Sequence, residues 1–357
     1  MAYLKNAWYV AAWSTEVGRT LFVRTLLDQA VLMYRTEAGK AVAMANVCPH
    51  RFAPLDRGQL VGDTVQCGYH GLRFDGSGTC VLNPFDGSAP KNARVRTYPL
   101  EERWGVLWIW MGDEALCDAS RIPDFSYLVD PKRKVLPGTT RVEANYELII
   151  DNLADLTHTN FLHSNFLKVE AFPNGRHEVI EDGNTVHSKF WFPNGRVTPL
   201  SAKFMDNPDL IVDRWTEIRW DPPSLIKLDT GATPTGRPRE EGTQNYGTHL
   251  LTPETETSTH YFFAHARGFK VDDPKTDEIV REWQRVAFNE QDKPMIEAQQ
   301  RIVGRADFMS LRPALQSNDL GTVRIRRVLA RLLEEESAHE SARTKTTNFA
   351  REAKHVG

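Results

Sequence analysis

The amino-acid sequence predicts an α+β protein built from an all-β N-terminal domain and a second domain that combines an antiparallel sheet with helices. Over the first ~115 residues, apolar and polar residues alternate in short runs that end in turn residues. Longer alternating runs follow between about 175 and 268. Helical spacing of apolar residues occurs only beyond residue 145, so the helices are expected in the second domain.

The length of 357 residues favours two domains over one. We predict domains at 1–115 and 116–340 and a polar tail at 341–357, because a breaker-rich passage with three prolines begins at 117. The net charge of −3 argues against a phosphate-binding surface spread over the whole protein, so no nucleic-acid partner is expected.

The N-terminal segment MAYLKNAWYVAAWSTEV is not typical of an export signal, because Lys5 and Asn6 interrupt its apolar run. No stretch reaches the ~20 apolar residues of a membrane helix, so we expect no membrane partner and a cytoplasmic location. Four cysteines are too few for a disulfide scaffold and are expected to be metal ligands or plain thiols.

Three segments predict the strands of the first domain. LFVRTLLDQAVLMYRTEAGKAVAMANVC alternates apolar and polar residues, with a turn at Glu37–Lys40. FDGSGTC contains Asp75 followed by Gly76, a strong hairpin signal. VLWIWMGD, at 106–113, predicts a buried strand that ends in a turn.

In the second domain, residues 145–166 predict a helix, and TVHSKFWF, VDRWTEIRW and THYFFAHAR predict strands of an antiparallel sheet. Residues 277–303 predict a helix that Pro294 breaks or kinks. A short amphipathic helix is predicted at 323–336, and the polar tail after it is expected to be frayed or disordered.

Two short motifs each pair a cysteine with a histidine. Cys48 and His50 form C-x-H, and Cys67 and His70 form C-x-x-H sixteen residues later. A Rieske [2Fe–2S] centre needs two Cys on one iron and two His on the other, which two such loops supply. A Cys₂His₂ zinc site and a set of buried structural residues are the alternatives. Cys80 and Cys117 have no His at ligand spacing and are interpreted as ordinary thiols.

A second polar constellation lies in DNLADLTHTNFLH. Asn152, Asp155 and His158 follow at three-residue intervals, along one face of a helix. His163 is about 140° further round, so both imidazoles reach one metal only if the helix is broken or carries a π-bulge. Two His and a carboxylate form the facial triad of non-haem Fe(II) oxygenases, whereas an exposed polar helix is the alternative.

Together the motifs resemble the oxygenase component of the Rieske non-haem iron oxygenases. NAWYVAAW, CPHRFAPL, CGYHGLRFDGSG, NLADLTH, LTPETETSTHYFF and RPAL are most similar to the vanillate and dicamba O-demethylase branch. The resemblance extends to about residue 335 and implies a Rieske [2Fe–2S] domain followed by a helix-grip type catalytic domain with a mononuclear Fe(II). Asp292 is the implied third iron ligand, after His158 and His163, with Glu290 and Glu297 as nearby alternatives.

The resemblance also implies an electron path and an assembly. Asp155 would join His158 to His70 of the neighbouring subunit in a head-to-tail homotrimer, and Asn152 would lie beside the iron. Since the sequence contains no convincing nucleotide-binding fingerprint, a separate NAD(P)H-dependent reductase with flavin and a plant-type [2Fe–2S] centre is implied. O₂ and an aromatic substrate complete the reaction, which for a methyl ether releases formaldehyde.

For the substrate, the resemblance points to His249 and Trp283 as contacts of an aromatic acid, although each is also compatible with a purely structural role. Leu228 occupies a position where the dicamba branch is expected to carry Asn, and Leu cannot bond a carboxylate. This departure favours a less polar substrate. Hydroxylation of a ring or methyl group, a simple Rieske electron carrier and a zinc-stabilised binding module are the competing functions.

Overall fold

The computed structural model describes residues 3–353 except 86, 91, 170–173, 205, 206 and 208. Its described N-terminal part is built of three small antiparallel sheets, in the orders β1-β10-β9, β2-β3-β4 and β5-β6-β7-β8. The strands are β1 Trp8–Trp13, β2 Phe22–Leu26, β3 Gln29–Arg35, β4 Ala41–Ala45, β5 Gln59–Val61, β6 Thr64–Gln66, β7 Arg73–Phe74, β8 Cys80–Leu82, β9 Leu100–Arg103 and β10 Val106–Trp110. The predicted all-β character of this region is confirmed.

The predicted hairpin at FDGSGTC joins β7 to β8. The Asp75 carboxylate accepts hydrogen bonds from the backbone of Ser77 and Thr79, which holds the turn. Gly78 has a positive φ of 77°, and a Cβ there would lie 2.0 Å from the Val95 carbonyl oxygen. Only glycine meets both demands.

A seven-stranded antiparallel sheet forms the centre of the second region, in the order β11-β17-β16-β15-β14-β13-β12. The strands are β11 Lys134–Val142, β12 Arg176–Asp182, β13 Thr185–Arg196, β14 Ile211–Asp221, β15 Leu225–Pro234, β16 Thr243–Thr255 and β17 Ser258–Arg267. One apolar cluster includes Trp8 and Trp108 from the first region and Leu250 and Phe262 from this sheet, so the two regions share a core.

The helices are α1 Tyr146–Ala154, α2 Ser164–Leu167, α3 Pro199–Ala202, α4 Pro274–Gln284, α5 Lys293–Val303 and α6 Leu320–Ala353. The helix predicted over 145–166 is interrupted. Asp155 ends α1 in an extended conformation (φ −101°, ψ 108°), and His158 lies in a separate 3₁₀ turn, Thr157–Asn160. This interruption is the break that two converging imidazoles require.

The helix predicted over 277–303 contains a π-helical segment, Arg285–Asp292, between α4 and α5. Pro294 lies in the first turn of α5, directly after this segment. Proline has no backbone N–H to donate to a helical hydrogen bond. In the wider π turn before it, the regular α-helical hydrogen bond is not required. The irregularity is therefore a π segment rather than a sharp kink.

The polar tail was expected to be frayed or disordered, but α6 continues through it as far as Ala353. Its Ala, Glu, Arg and Lys residues are strong helix formers, and polarity alone does not prevent a helix. Residues 354–357 lie outside the described part. Among the residues that the structure describes, no helix is long and apolar enough to cross a membrane.

Short 3₁₀ turns at Glu114–Leu116, Ala119–Arg121 and Ser126–Val129 connect β10 to β11. Of the three prolines from which the domain boundary was inferred, Pro123 and Pro131 lie in the connections next to these turns and Pro137 lies in β11. The division at 115/116 remains a prediction.

Candidate metal centres and substrate cavity

The two Cys–His motifs lie in loops that follow β4 and β6, and their four side chains come together. Cys48 and Cys67 are each 2% exposed, whereas His50 is exposed and His70 half-buried. The two imidazole ring centroids are 4.5 Å apart. The thiols are therefore paired on the inside and the imidazoles on the outside, which is the division that the two irons of a Rieske cluster require.

The backbone around the thiols, rather than the pKa of the free thiols, fits a metal centre. Burial raises the pKa of the Cys48 thiol to about 11, and the neighbouring Cys67 side chain adds to the rise. Backbone N–H groups of His50 and Arg51 donate to the Cys48 sulfur, as they would to a ligating thiolate. A Cβ on Gly68 would lie 2.5 Å from the Arg57 carbonyl oxygen, so this loop packs closely only with glycine.

The four residues do not converge on a single ion. Within the described ranges, only His158, His163 and Asp292 bring three ligand atoms within 4.8 Å of one another. Tetrahedral zinc, with bonds of about 2.0–2.3 Å, would hold all four Cys and His ligand atoms closer than that. The geometry thus favours a two-iron cluster over a zinc site.

The second constellation gathers around Asp292, which is 4% exposed. The His163 Nε2 atom lies 3.1 Å and the His158 Nε2 atom 3.8 Å from Asp292 Oδ1. The break after α1 turns His158 back towards His163, and the π-helical segment presents Asp292 from the opposite side. Glu290 pairs with Arg285 and Glu297 bonds the backbone of Glu143, so neither joins this trio.

Both imidazoles keep one nitrogen for a ligand. His158 Nδ1 is 2.5 Å from the Asp155 carbonyl oxygen and His163 Nδ1 is 2.7 Å from Gln291 Oε1. Since carbonyl and amide oxygens only accept, both rings carry a proton on Nδ1, and both Nε2 atoms, the positions that a metal would take, face Asp292. Gln291 was missed by sequence reasoning, although its place beside Asp292 was a usable signal.

The charge balance of the trio favours a bound cation. In the described part of the chain, no Lys or Arg pairs with the buried Asp292 carboxylate. Burial lowers the pKa of His163, but bonds to Asp292 and Gln291 outweigh it and leave that pKa raised. The residues therefore fit a divalent metal held by two imidazoles and a carboxylate.

Asn152 and Asp155 both lie beside the trio. Asn152 Nδ2 donates to Asp292 Oδ1 at 3.1 Å. The Asp155 carboxylate accepts from the backbone and the hydroxyl of Thr157, at 2.8 and 2.7 Å. It is thus the main-chain carbonyl of Asp155, rather than its carboxylate, that touches His158.

The trio opens into a cavity of about 300 Å³ between the sheet and the helices. Its wall is largely apolar, with Leu156, Val169, Phe192 and Phe288 among the lining residues. All three predicted substrate contacts line it as well: Leu228, His249 and Trp283.

His249 Nε2 and Trp283 Nε1 are among the buried nitrogens of the cavity wall that have no partner within the described residues. Burial lowers the pKa of His249 to about 3, so the ring is neutral. Tyr261, whose pKa burial raises well above its ordinary value, lies 2.5 Å from His249 Nδ1. When the tyrosine hydroxyl donates to Nδ1, Nε2 carries the proton, and the cavity then offers two N–H donors.

Arg214 was not predicted, yet it also lines the cavity. It lies on β14 in the series Val212, Arg214, Thr216, Ile218, whose alternate residues share one face. An arginine among inward-facing positions of a strand was a signal that the sequence contained.

Comparison with known proteins bears on both regions. Residues 7–99 match the Rieske [2Fe-2S] domain family, and residues 142–335 match the vanillate O-demethylase oxygenase C-terminal domain family. The second match covers more than half of the chain. The Rieske match precedes the C-terminal domain match along the chain, which is the order that the two motifs predicted.

Near full-length relatives extend this result. The oxygenase component of dicamba O-demethylase from Stenotrophomonas maltophilia is 41% identical, over 95% of this chain and 100% of its own. An iron-sulfur subunit of the toluene-4-sulfonate monooxygenase system of Comamonas testosteroni is 39% identical, over 94% of this chain and 98% of its own. The crystal structure of dicamba monooxygenase bound to 3,6-dichlorosalicylic acid superposes with a TM-score of 0.90, at 40% identity, over 95% of this chain and 100% of that one.

These matches include both candidate metal centres, and they agree with a His-His-carboxylate trio that opens into a largely apolar cavity. The chain therefore belongs to the Rieske non-haem iron oxygenases, as an oxygenase component of the vanillate and dicamba O-demethylase branch, whose cofactors are a Rieske [2Fe–2S] cluster and a mononuclear non-haem iron.

Proposed function

We propose that this chain is the terminal oxygenase of an O-demethylase that acts on a methoxylated aromatic acid and releases formaldehyde. The observation that carries the proposal is the opening of the His158, His163 and Asp292 trio into a largely apolar cavity, where the N–H groups of His249 and Trp283 are unpaired. An aromatic ring fits the apolar wall, and the donors fix its orientation. The relatives named for dicamba and toluene-4-sulfonate support an acidic aromatic substrate.

We assign Cys48 and Cys67 to one cluster iron and His50 and His70 to the other, and the trio to the mononuclear iron. When bound, the mononuclear iron supplies the activation of O₂ with electrons delivered from the Rieske cluster. Asn152, bonded to Asp292 Oδ1, holds that carboxylate in place. Gln291 and the Asp155 carbonyl hold the two imidazoles in the ligating tautomer.

The cavity residues position the substrate and exclude water. Phe288 packs against the His249 ring at 5.6 Å and keeps this neutral donor fixed. Hydroxylation of an aryl methyl ether gives a hemiacetal, which breaks its C–O bond to yield a phenol and formaldehyde. The reaction consumes one O₂, two electrons and two protons per methyl group and releases one water.

The electrons are proposed to come from a separate NAD(P)H-dependent reductase with flavin and a plant-type [2Fe–2S] centre. We further propose a head-to-tail homotrimer in which Asp155 of one chain bridges its own His158, through its main-chain carbonyl, and His70 of the next, through its carboxylate. Support comes from a surface depression of about 250 Å³ that Asp155 lines and that Met295 and Leu315, each 51% exposed, border. Exposed apolar residues beside a functional carboxylate mark an interface.

The test is oxygen uptake and formaldehyde release with a panel of methoxylated aromatic acids and a surrogate reductase. We expect one formaldehyde for each O₂ consumed and the corresponding phenol as product. A product that keeps its methoxy group and gains a hydroxyl would establish ring or methyl hydroxylation instead.

A further inference from the structure

Arg214 places an uncompensated positive charge in the cavity wall. The residue is half-buried, and its Nη1 atom is buried with no hydrogen-bond partner. Of the acidic residues that the structure describes, none forms an ion pair with it, whereas Arg219 on the same strand pairs with Asp221. Burial lowers the pKa of Arg214 to about 10, which leaves it protonated at neutral pH. A guanidinium with a buried, unpaired nitrogen is costly unless a ligand supplies the counter-charge.

The strand register locates this charge at the end of the cavity remote from the trio. Arg214 pairs with Ala232, whereas His249 lies in the row of Ile226 and Trp220. Positions 214 and 220 are six residues apart on β14, about 20 Å along the strand. Asp292 contributes to the pKa of His249 but not to that of Arg214, which agrees with this separation.

The side chains between the two ends change from apolar to polar. The row next to His249 contains Ile218, Leu228 and Gly247, and the row after it contains Thr216, Thr230 and Asn245. The cavity lining thus continues from an apolar section, through hydroxyl and amide groups, to the guanidinium. This order matches a molecule with an apolar reacting end and an anionic far end.

We propose that Arg214 binds the carboxylate or sulfonate of an elongated aromatic substrate, whose acid group is separated from the ring by an extension. This proposal deepens the proposed function and rests on it for the position of the reacting methyl group. An acid attached directly to the ring would lie near Leu228, which cannot bond it. Arginine binds planar oxyanions through two parallel hydrogen bonds, and Lys270, exposed at the same cavity, adds positive charge.

The test measures binding to the holoenzyme under anaerobic conditions by calorimetry. The probes are 4-methoxycinnamate, its methyl ester, 4-methoxybenzoate and 2-(4-methoxyphenyl)ethanesulfonate. We expect the wild type to bind the cinnamate and the sulfonate more tightly than the ester and the benzoate. Arg214→Met should weaken binding of those two anions about 10- to 100-fold and change ester binding less than about twofold, with Arg214→Lys in between.

Arg196→Met is the matched control, because Arg196 lies on the neighbouring strand β13, is largely exposed and pairs with Asp209. It should leave binding of all four probes unchanged. Circular dichroism and the visible absorbance of the cluster report whether each variant is folded. If Arg214→Met does not fold, Arg214→Lys and the acid-to-ester preference of the wild type decide the question.

The proposal is overturned if the wild type binds the ester as tightly as the acids, or if Arg214→Met weakens acid and ester equally. The two proposals fail separately. Anion binding that depends on Arg214 without formaldehyde release would retain the subsite and refute demethylation. Formaldehyde release that is indifferent to Arg214 and to the acid group would retain demethylation and refute the subsite.

Discussion

At the scale of single residues, the proposed iron trio is held by contacts that leave both Nε2 atoms uncommitted to a hydrogen-bond acceptor other than Asp292. His158 and His163 use Nδ1 for oxygen acceptors, and Asp292 receives one bond from Asn152. Each residue therefore performs a separable task. Removing one ligand should affect the mononuclear iron without disturbing the cluster loops, which end 88 residues before His158 in the chain.

We predict that His158→Ala loses its mononuclear iron and all turnover but keeps the cluster, because Cys48, His50, Cys67 and His70 are unaffected. Iron and acid-labile sulfide analysis should show one iron fewer per chain with unchanged sulfide. His177→Ala is the control, since His177 bonds Ser188 and stacks on Phe190 outside the trio. Retention of full iron content in His158→Ala would remove His158 from the ligand set.

Asp155→Asn tests the electron path with little change in local structure. The amide oxygen of Asn can still accept both bonds from Thr157, so the substitution removes charge and keeps the turn. We predict that both metals are retained and that reoxidation of the reduced cluster, in the presence of substrate and O₂, slows about 10- to 100-fold. Stopped-flow absorbance of the cluster measures this rate. Reoxidation at the wild-type rate would show that Asp155 is not the bridge.

At the scale of elements, helix α1 carries Asn152 and ends at Asp155, and α6 holds it in place. Arg326 on α6 bonds Asp151 through Nε and Nη2 and Glu147 through Nη1, at 2.6–3.1 Å. Burial raises the pKa of both carboxyls, and Arg326 opposes the rise. The stability of this buried cluster therefore depends on the single guanidinium.

We predict that Arg326→Met destabilises the fold by about 3–5 kcal/mol, because it leaves two buried carboxylates without a counter-charge. Denaturant unfolding measures the loss. Arg324→Met on the same helix is the control, since Arg324 and Glu181 form an exposed pair worth at most about 1 kcal/mol. A loss no larger than that of the control would refute the role of the cluster.

The same variant should respond to pH in a defined direction. Folding raises the pKa of Asp151 and of Glu147. Between the unfolded-state pKa and the folded-state pKa of each group, the folded state therefore binds more protons than the unfolded state. The free energy of unfolding falls as the pH rises through that range. Without Arg326, folding raises both pKa values further, because the guanidinium no longer opposes the effect of burial. The deficit of Arg326→Met should therefore shrink when the pH is lowered from 7 towards 5, and a triple variant with Glu147→Gln and Asp151→Asn should recover most of it.

Features that depend on short spacings within one element could be predicted from the sequence, whereas features that depend on the pairing of elements could not. The Cys–His loops and the DNLADLTHTNFLH segment were recognisable because their residues lie at short, fixed spacings. The strand pattern places Arg214 on an inward-facing position, but its place in the cavity and its lack of an acidic partner depend on strand pairing, which the chain order does not give. The length of α6 was underestimated because polarity was given more weight than helix propensity.

At the scale of the whole molecule, the question is whether the two metal centres of one chain work together. His50 and His70 lie in a loop region with Phe52 79% and Tyr69 64% exposed, an apolar surface typical of an interface. Asp155 lines a separate surface depression with apolar borders. A ring of chains, each placing its cluster loops against the depression of the next, would cover both surfaces.

We predict that inactive variants complement each other when they assemble together. His70→Ala chains, which lack a complete cluster, and His158→Ala chains, which lack the mononuclear iron, are produced together with two different tags, and doubly tagged oligomers are purified. In a head-to-tail trimer of either composition, one of the three contacts joins an intact cluster to an intact iron, so such hybrids should regain about a third of the wild-type formaldehyde release. Each variant alone is the control and should stay inactive. If electrons passed between the centres of a single chain, no hybrid could work, since every chain in it lacks one centre.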